Sequence, residues 1–280
     1  MLFFAVTIPH FKTKTNMRKT LLRRTIVLSS ICIIFFSCKK NAQETQAPET
    51  ISQSSLDKIY RLGFSKNNVT RDEGDYVVEG DIRISEAELN NIPESQFLRV
   101  GAEEQYRTYN LVTGLPKTIT VSISSRLPSS YVSALDEALA RYNALRLLLN
   151  FQRVNSGANI ALVRGNGNFL ASAGFPSGGQ PYGQVKVNSN AIGNQPLGTV
   201  ASIIAHEIGH CIGFRHTDYM NRQFSCGGQF ANEGASTVGA VHIPGTPTGP
   251  DPNSWMLSCI GSGQNRPFNS NDRTALNYLY

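Results

Sequence analysis

His206-Glu207-Ile208-Gly209-His210-Cys211-Ile212-Gly213-Phe214-Arg215-His216 decides how this chain is read. His206 and His210 are four residues apart. On a helix, both imidazoles then share one face about a turn apart and can hold one metal ion. Glu207 points about 100° round the helix, too far to be a third ligand in the same direction. It can instead reach a metal-bound water and take its proton. Gly213 can adopt the positive φ that ends a helix and turns the chain back, and the next three residues bring His216 to the same metal. Three neutral imidazoles and one water form the open tetrahedral arrangement of catalytic zinc. Such a zinc lowers the water's pKa and polarises a carbonyl. Glu207 is then the general base for attack and the proton donor to the leaving amine. The chain has 5 His, and three of the four outside the N-terminal leader lie in this motif. The plain alternative is a helix whose histidines are only buried and hydrogen-bonded.

Outward from the motif, a helix is expected over about Leu197–Ile212. Thr118–Ser124 alternates with period two and reads as a half-buried strand. Ser129 or Ser130 can cap a helix through about Leu147, with Val132, Leu135, Leu139, Tyr142 and Leu145 on one face. Further strands are expected at Leu149–Val154, Ile160–Val163 and Gly183–Asn188. Tyr76–Ile84 has strand-like alternation, Ser85–Leu89 can open a helix, and Ser270-Asn271-Asp272 can cap a final one. Residues 225–254, rich in Gly, Pro and Thr, read as a long loop of the kind that is usually functional.

The formal charge of +6 comes from the leader. Lys12, Lys14, Arg18, Lys19, Arg23 and Arg24 lie in residues 1–37 with no acid, leaving 20 bases against 20 acids. The rest is neutral and gives no argument for nucleic acid. A basic stretch, an apolar run from Ile26 to Phe36, and Phe35-Phe36-Ser37-Cys38 have the plan of a lipoprotein signal peptide, with Cys38 as the lipidated residue. Residues 1–37 are thus a signal peptide, 38–55 a polar tether, 56–116 a small unit and 117–280 the main domain. A plain signal peptide or an uncleaved anchor is the alternative. The expected location is the bacterial cell envelope, anchored by lipid (at the outer membrane) or secreted; the expected state is a monomer. Export favours disulfides. Cys226 and Cys259 could bridge and clamp the long loop, with pairing to Cys211 left open.

With these residues in hand, the chain resembles the metzincin clan of metallopeptidases. His206, His210 and His216 match its zinc ligands, Glu207 its base and Gly213 its turn. Asn253-Ser254-Trp255-Met256 is similar to the clan's methionine turn, with Met256 as an apolar floor under the imidazoles. The literal His-Glu-Ile-Gly-His, continued to Asp218, is similar to the bacterial HEIGH metallopeptidases. Residues 268–280 are similar to the last helix of matrixin and astacin domains. The resemblance implies one zinc, a protein or peptide substrate, and an α+β metzincin fold. That fold has a twisted, mostly parallel sheet with two long helices, then a small irregular C-terminal subdomain. Peptides would add to an edge strand, for which 165–175 is the candidate.

Two departures stand out. Ser258 occupies the place of an astacin tyrosine two positions after the turn methionine, and Thr217 directly follows His216. Asp218 has two readings: a partner of His216 or of a mature N-terminus, or a surface or helix-cap acid. Val78-Glu79-Gly80-Asp81-Ile82 resembles the astacin pro-segment motif Phe-x-Gly-Asp, with Val78 replacing the phenylalanine. By that likeness 56–116 is a pro-segment and Asp81 a latency ligand at the zinc's open position; a turn acid between strands is the alternative. Two other functions stay open: a zinc-containing binding or adhesion module without proteolysis, and a peptidase of cell-wall crosslinks.

Overall fold

The alternation between Tyr76 and Ile84 becomes a hairpin in the computed structural model, which describes residues 50–62, 64–91, 105–234, 238–247 and 249–280. The signal peptide, Cys38 and residues 38–49 of the tether lie outside these. Helix α1 (Gln53–Arg61) takes up the end of the expected tether, with Ser52 as its cap and Ile59 buried. Strands β1 (Thr70–Asp72), β2 (Asp75–Val78) and β3 (Ile82–Ile84) form an antiparallel sheet in that order. Ser85 and Glu88 make a reciprocal capping box for α2 (Glu86–Asn90). Ile59, Leu62, Phe64, Tyr76, Val78, Ile82, Ile84 and Leu89 close a core of their own. The β2–β3 loop turns on Glu79 (φ 57°) and Gly80 (φ 93°), so Asp81 follows a sharp reversal.

Next come β4 (Tyr106–Arg107), β5 (Lys117–Ile123), α3 (Ser130–Asn143), β6 (Leu149–Arg153), β7 (Ile160–Arg164), β8 (Ala171–Ser172) and β9 (Gln184–Val187). Then follow α4 (Ser189–Ile192), α5 (Leu197–Cys211), α6 (Gln223–Cys226), β10 (Val241–His242) and α7 (Ser270–Leu279). A five-stranded sheet runs β6-β5-β7-β9-β8. Its first four strands are parallel, and β8 pairs antiparallel with β9 at the edge. Short β8 falls inside the 165–175 stretch expected to form an edge. Helices α3 and α5 pack on each other; α3 also meets β6, and α5 meets β8 and β9. Their shared core includes Ile119, Val121, Leu135, Tyr142, Leu162, Val185, Ile204 and Ile208. This is an α+β architecture with a mostly parallel sheet and two long helices. An irregular segment follows Gly213, and α7 closes it.

Three expectations need correction. Helix α3 ends at Asn143 rather than near Leu147, because Asn143 turns its amide onto the backbone N–H and C=O of Phe151 in β6, both at 2.8 Å. Ser129 precedes that helix without a side-chain cap bond. Residues 105–116, grouped in sequence with the small unit, are built into the main fold. There β4 pairs with β10, and the buried Gln105 amide donates to Ser254 Oγ and Asp272 Oδ1. The described residues from 50 onward fall within one compact unit.

Candidate active site

Helix α5 is buried on every side from Thr199 to Cys211, so its histidines sit inside the molecule. Gly209 explains its place in the motif. A Cβ there would lie 2.5 Å from Met256 Sδ and 3.1 Å from Trp255 Nε1. Only a residue without a side chain lets the 254–257 turn press this close to the helix. Gly213 has φ 110°, and a Cβ on it would meet Asn110 O at 2.8 Å. The turn it permits carries the chain back past α5 and brings in His216.

The three imidazoles are held by their Nδ1 atoms. His206 Nδ1 lies 2.9 Å from Trp255 O, and His210 Nδ1 2.8 Å from Phe214 O. His216 Nδ1 lies 3.1 and 3.2 Å from the two carboxylate oxygens of Glu233. All three partners are acceptors, so each Nδ1 carries a proton, which leaves Nε2 as the atom each ring can offer to a metal. Those Nε2 atoms converge. His210 Nε2 and His216 Nε2 are 3.2 Å apart, and buried His206 Nε2 has no hydrogen-bond partner. Lone pairs facing one another repel unless a cation lies between them. Two nitrogens bound tetrahedrally to one zinc at about 2.0–2.1 Å would be about 3.3 Å apart, so the donor set fits zinc.

Asp81 reaches the same point from the β2–β3 loop. Its Oδ2 lies 3.1 Å from His216 Nε2 and 3.4 Å from His206 Nε2. Asp81 and the three histidines each offer a ligand atom, all within 4.8 Å of one another. Burial works to raise Asp81, but the neighbouring His216, His206 and His210 hold it well below the usual carboxylate range. Glu207 is buried, and its Oε2 has no hydrogen-bond partner. Burial, and then the charge of Asp81, push it well up. Burial lowers His216, yet Asp81 and Glu233 on its two sides outweigh that and raise it. The cluster calls for positive charge at its centre. Buried Glu79 pairs with Arg215 and buried Glu233 with Arg222, while Asp81 lies against the imidazoles.

Glu233 was not singled out in sequence, since it lies in a loop of little periodicity and follows His216 by 17 residues. Asp218 does not touch His216. It accepts instead from Ser258 N and Oγ, both at 2.9 Å, and from Ser225 Oγ. Ser225 Oγ in turn accepts from Cys259 N, beside the Cys226–Cys259 disulfide. Asp218 thus ties the exit of the methionine turn to α6; the reading as His216's partner is replaced by Glu233. Met256 is fully buried against Gly209 of α5, and Ser258 carries a hydroxyl where the resemblance to astacins expects a tyrosine. Cys211 is a buried free thiol.

The loop that carries Asp81 also covers the sheet edge. Ala173 N donates to Asp81 O at 2.9 Å, Arg83 N donates to Ala173 O at 2.8 Å, and Ile82 bridges Ala173 in parallel. Beside Glu207 lies a cavity of about 200 Å³, with Leu170, Ile203, Leu257 and Ile260 among its walls.

The model of the family described as dual-action HEIGH metallo-peptidase matches residues 76–280, taking in both the Asp81 loop and the histidine motif. No curated protein matches the chain. Solved structures similar to it include two of myroilysin. One is 14% identical over 61% of this chain and 82% of that one (TM-score 0.38); the other is 13% identical over 68% and 99% (TM-score 0.39). A third is high choriolytic enzyme 1, a hatching enzyme zinc-protease from Oryzias latipes (Medaka fish). It is 18% identical over 58% of this chain and 88% of that one (TM-score 0.37). With the family model matched over most of the chain and the metal-seeking imidazoles in place, the chain belongs to the dual-action HEIGH metallo-peptidases and is a zinc metallopeptidase.

Proposed function

We propose that this peptidase is an endopeptidase made as a latent precursor, in which His206, His210 and His216 would hold one zinc and the Asp81 carboxylate would block access to it. The observation that carries the reading is the convergence of the three histidine Nε2 atoms with the Asp81 carboxylate. A zinc held by these imidazoles would supply a Lewis acid for the scissile carbonyl and for water. Glu207 takes the proton of the attacking water and hands it to the leaving amine. Its desolvated carboxylate, pushed up by burial, is suited to both transfers. Trp255 O, Phe214 O and Glu233 keep the imidazoles oriented throughout. In the precursor, the Asp81 carboxylate would stand where the attacking water must come, and residues 81–83 occupy the edge beside β8 where a peptide would add as a strand. Removal of the segment ending before residue 105 frees both.

Export through a lipoprotein signal, with an anchor at Cys38, belongs to the same reading, and the Cys226–Cys259 disulfide supports an oxidising compartment. The test is casein cleavage by the chain before and after limited proteolysis, beside Glu207→Ala. Cleavage that appears on trimming and vanishes in Glu207→Ala supports the reading. Cleavage that survives in Glu207→Ala overturns the assigned base, and full cleavage by the untrimmed chain overturns latency. Cell-wall peptides in parallel test a narrower substrate class.

A further inference from the structure

The cavity beside Glu207 carries two cations that neither proton transfer nor latency uses. Its volume of about 200 Å³ is below the ~300–1,000 Å³ of clefts that hold a whole small ligand, and suits one side chain. Leu170, Ile203, Leu257 and Ile260 supply apolar wall. The guanidiniums of Arg222 and Arg266 line the same space, and its acids are Asp81 and Glu207.

Both arginines are fixed in place by partners they can keep. Arg222 Nε lies 3.0 Å from Glu233 Oε1 and Nη2 3.7 Å from Cys226 Sγ, and the side chain stays 20% exposed. Both of its Nη atoms face the loop that carries Asp81. A Cβ on Gly80 would lie 3.3 Å from Nη2 and 3.8 Å from Nη1. Arg266 is held at its backbone, where its N–H donates to Ser202 Oγ of α5 at 2.8 Å. Its Nη1 donates to Cys259 O at 2.6 Å and its Nη2 to Gln264 Oε1 at 3.2 Å. The Cys226–Cys259 disulfide thus gathers the pair, with Arg222 against one cysteine and Arg266 against the other. A guanidinium has five N–H groups. Among the described residues these partners use two on each arginine, so an incoming acceptor displaces nothing.

Trimming changes the balance of the cavity. In the precursor, Asp81 and Glu207 stand against Arg222 and Arg266. When the segment leaves, Gly80 and Asp81 go with it, and the Nη atoms of Arg222 are uncovered. Buried N–H groups beside apolar walls are costly without an acceptor, and a carboxylate is the strongest acceptor a guanidinium can meet. A Glu side chain has methylenes for the leucine and isoleucine walls and a carboxylate for the arginines. Leu would satisfy only the walls, and Lys would meet like charge.

We propose that this cavity is a side-chain pocket that selects an acidic residue of the peptide substrate, whose carboxylate Arg222 and Arg266 hold together. How the pocket opens rests on the latency reading above.

The test uses the full chain processed by limited proteolysis and freed of the released segment. Quenched peptides with blocked ends carry Glu, Gln, Leu or Lys in turn at each position flanking the cut. At one position the Glu peptide is expected to have a kcat/KM at least about tenfold above its Gln twin, as one charge-assisted bond implies, with Leu and Lys below Glu. Arg266→Gln is expected to lower the Glu-to-Gln ratio at least about threefold, Arg266→Lys to keep part of it, and Arg266→Gln with Arg222→Gln to bring it to about one. A ratio taken within one variant is unaffected by its fraction of active molecules, which matters because Arg222 also pairs with Glu233. In the trimmed Glu207→Ala chain, a fluorescent Glu peptide is expected to bind about tenfold tighter than its Gln twin by polarisation, and Arg266→Gln in that background to erase most of the difference. Trimming that raises activity while the twins stay equal in both assays, or while Leu outruns Glu at every position, overturns this inference and leaves latency standing. Cleavage that does not depend on trimming overturns the latency reading, and the twin ratio then decides the pocket by itself.

Discussion

Replacing Glu233 by Gln should weaken zinc binding about tenfold without unfolding the chain. Both carboxylate oxygens of Glu233 lie within 3.2 Å of His216 Nδ1, and both side chains are fully buried. A hydrogen bond to a charged acceptor in such a place contributes about 1.5–3 kcal/mol, against about 1 kcal/mol for a neutral one. Gln keeps an acceptor oxygen but loses the charge, so the expected loss is about 1–2 kcal/mol, or roughly 5- to 30-fold in affinity. Loss of an outer partner of a ligating histidine commonly costs about 10- to 100-fold. The assay is competition for zinc against a chromogenic chelator at neutral pH, with thermal melting of the metal-free protein as the check on fold. Glu233 also pairs with Arg222, so Glu233→Ala should cost more than Glu233→Gln in both measurements. A zinc affinity within about twofold of wild type in a folded Glu233→Gln chain would refute the reasoning that His216 is oriented and made basic by this carboxylate.

Asp81→Asn should let the untrimmed chain cut casein, with at least about a tenfold gain over wild type, because an amide is a poorer zinc ligand than a carboxylate; mass spectrometry must show the chain intact, and no gain contradicts the latency role. Gly209→Ala puts a methyl 2.5 Å from Met256 Sδ. Overpacking of about 1–3 kcal/mol should outweigh the helix-propensity gain of about 1 kcal/mol, so the melting temperature falls by a few degrees; an unchanged or raised melting point would show that the methionine turn is not tightly seated. Asp272, which accepts from Trp255 N, Asn269 N and the Gln105 amide, is pushed up to about 6 by burial. The folded state therefore holds its proton more tightly than the unfolded chain does. Its contribution is full below about pH 4 and lost as pH rises through about 6, on the order of 3 kcal/mol. Urea melts across that window should show wild type losing stability relative to Asp272→Asn; parallel curves would contradict it.

The decisive stretch was legible because its chemistry is local. Spacing of four on a helix and a glycine turn suffice to bring His206, His210 and His216 together, and Glu207 follows from its neighbours. The strands of the main sheet were legible for a similar reason: alternation at 118–124 and short apolar runs at 149–154 and 160–163 carry their own period. What escaped was non-local. Glu233 meets His216 only because the loop after α6 folds back, and no periodic signal marks it. The motif spacing gives Arg215 no role, and the Glu79 carboxylate that faces it lies 136 residues earlier. Asp218 was drawn towards His216 by proximity in sequence, whereas its partners Ser225 and Ser258 are brought by the disulfide-clamped turn. The boundary at 116 was set by composition, yet Gln105 and β4 join the main fold through pairings with residues 241–272 that sequence reading does not reach.

The most direct test of the account is zinc content by mass spectrometry of the purified chain, intact and trimmed, read beside casein cleavage by the same samples. The account predicts one zinc per chain in both forms and cleavage only in the trimmed one. A chain that holds no zinc in either form, or that cleaves casein equally well after zinc is stripped, would contradict it.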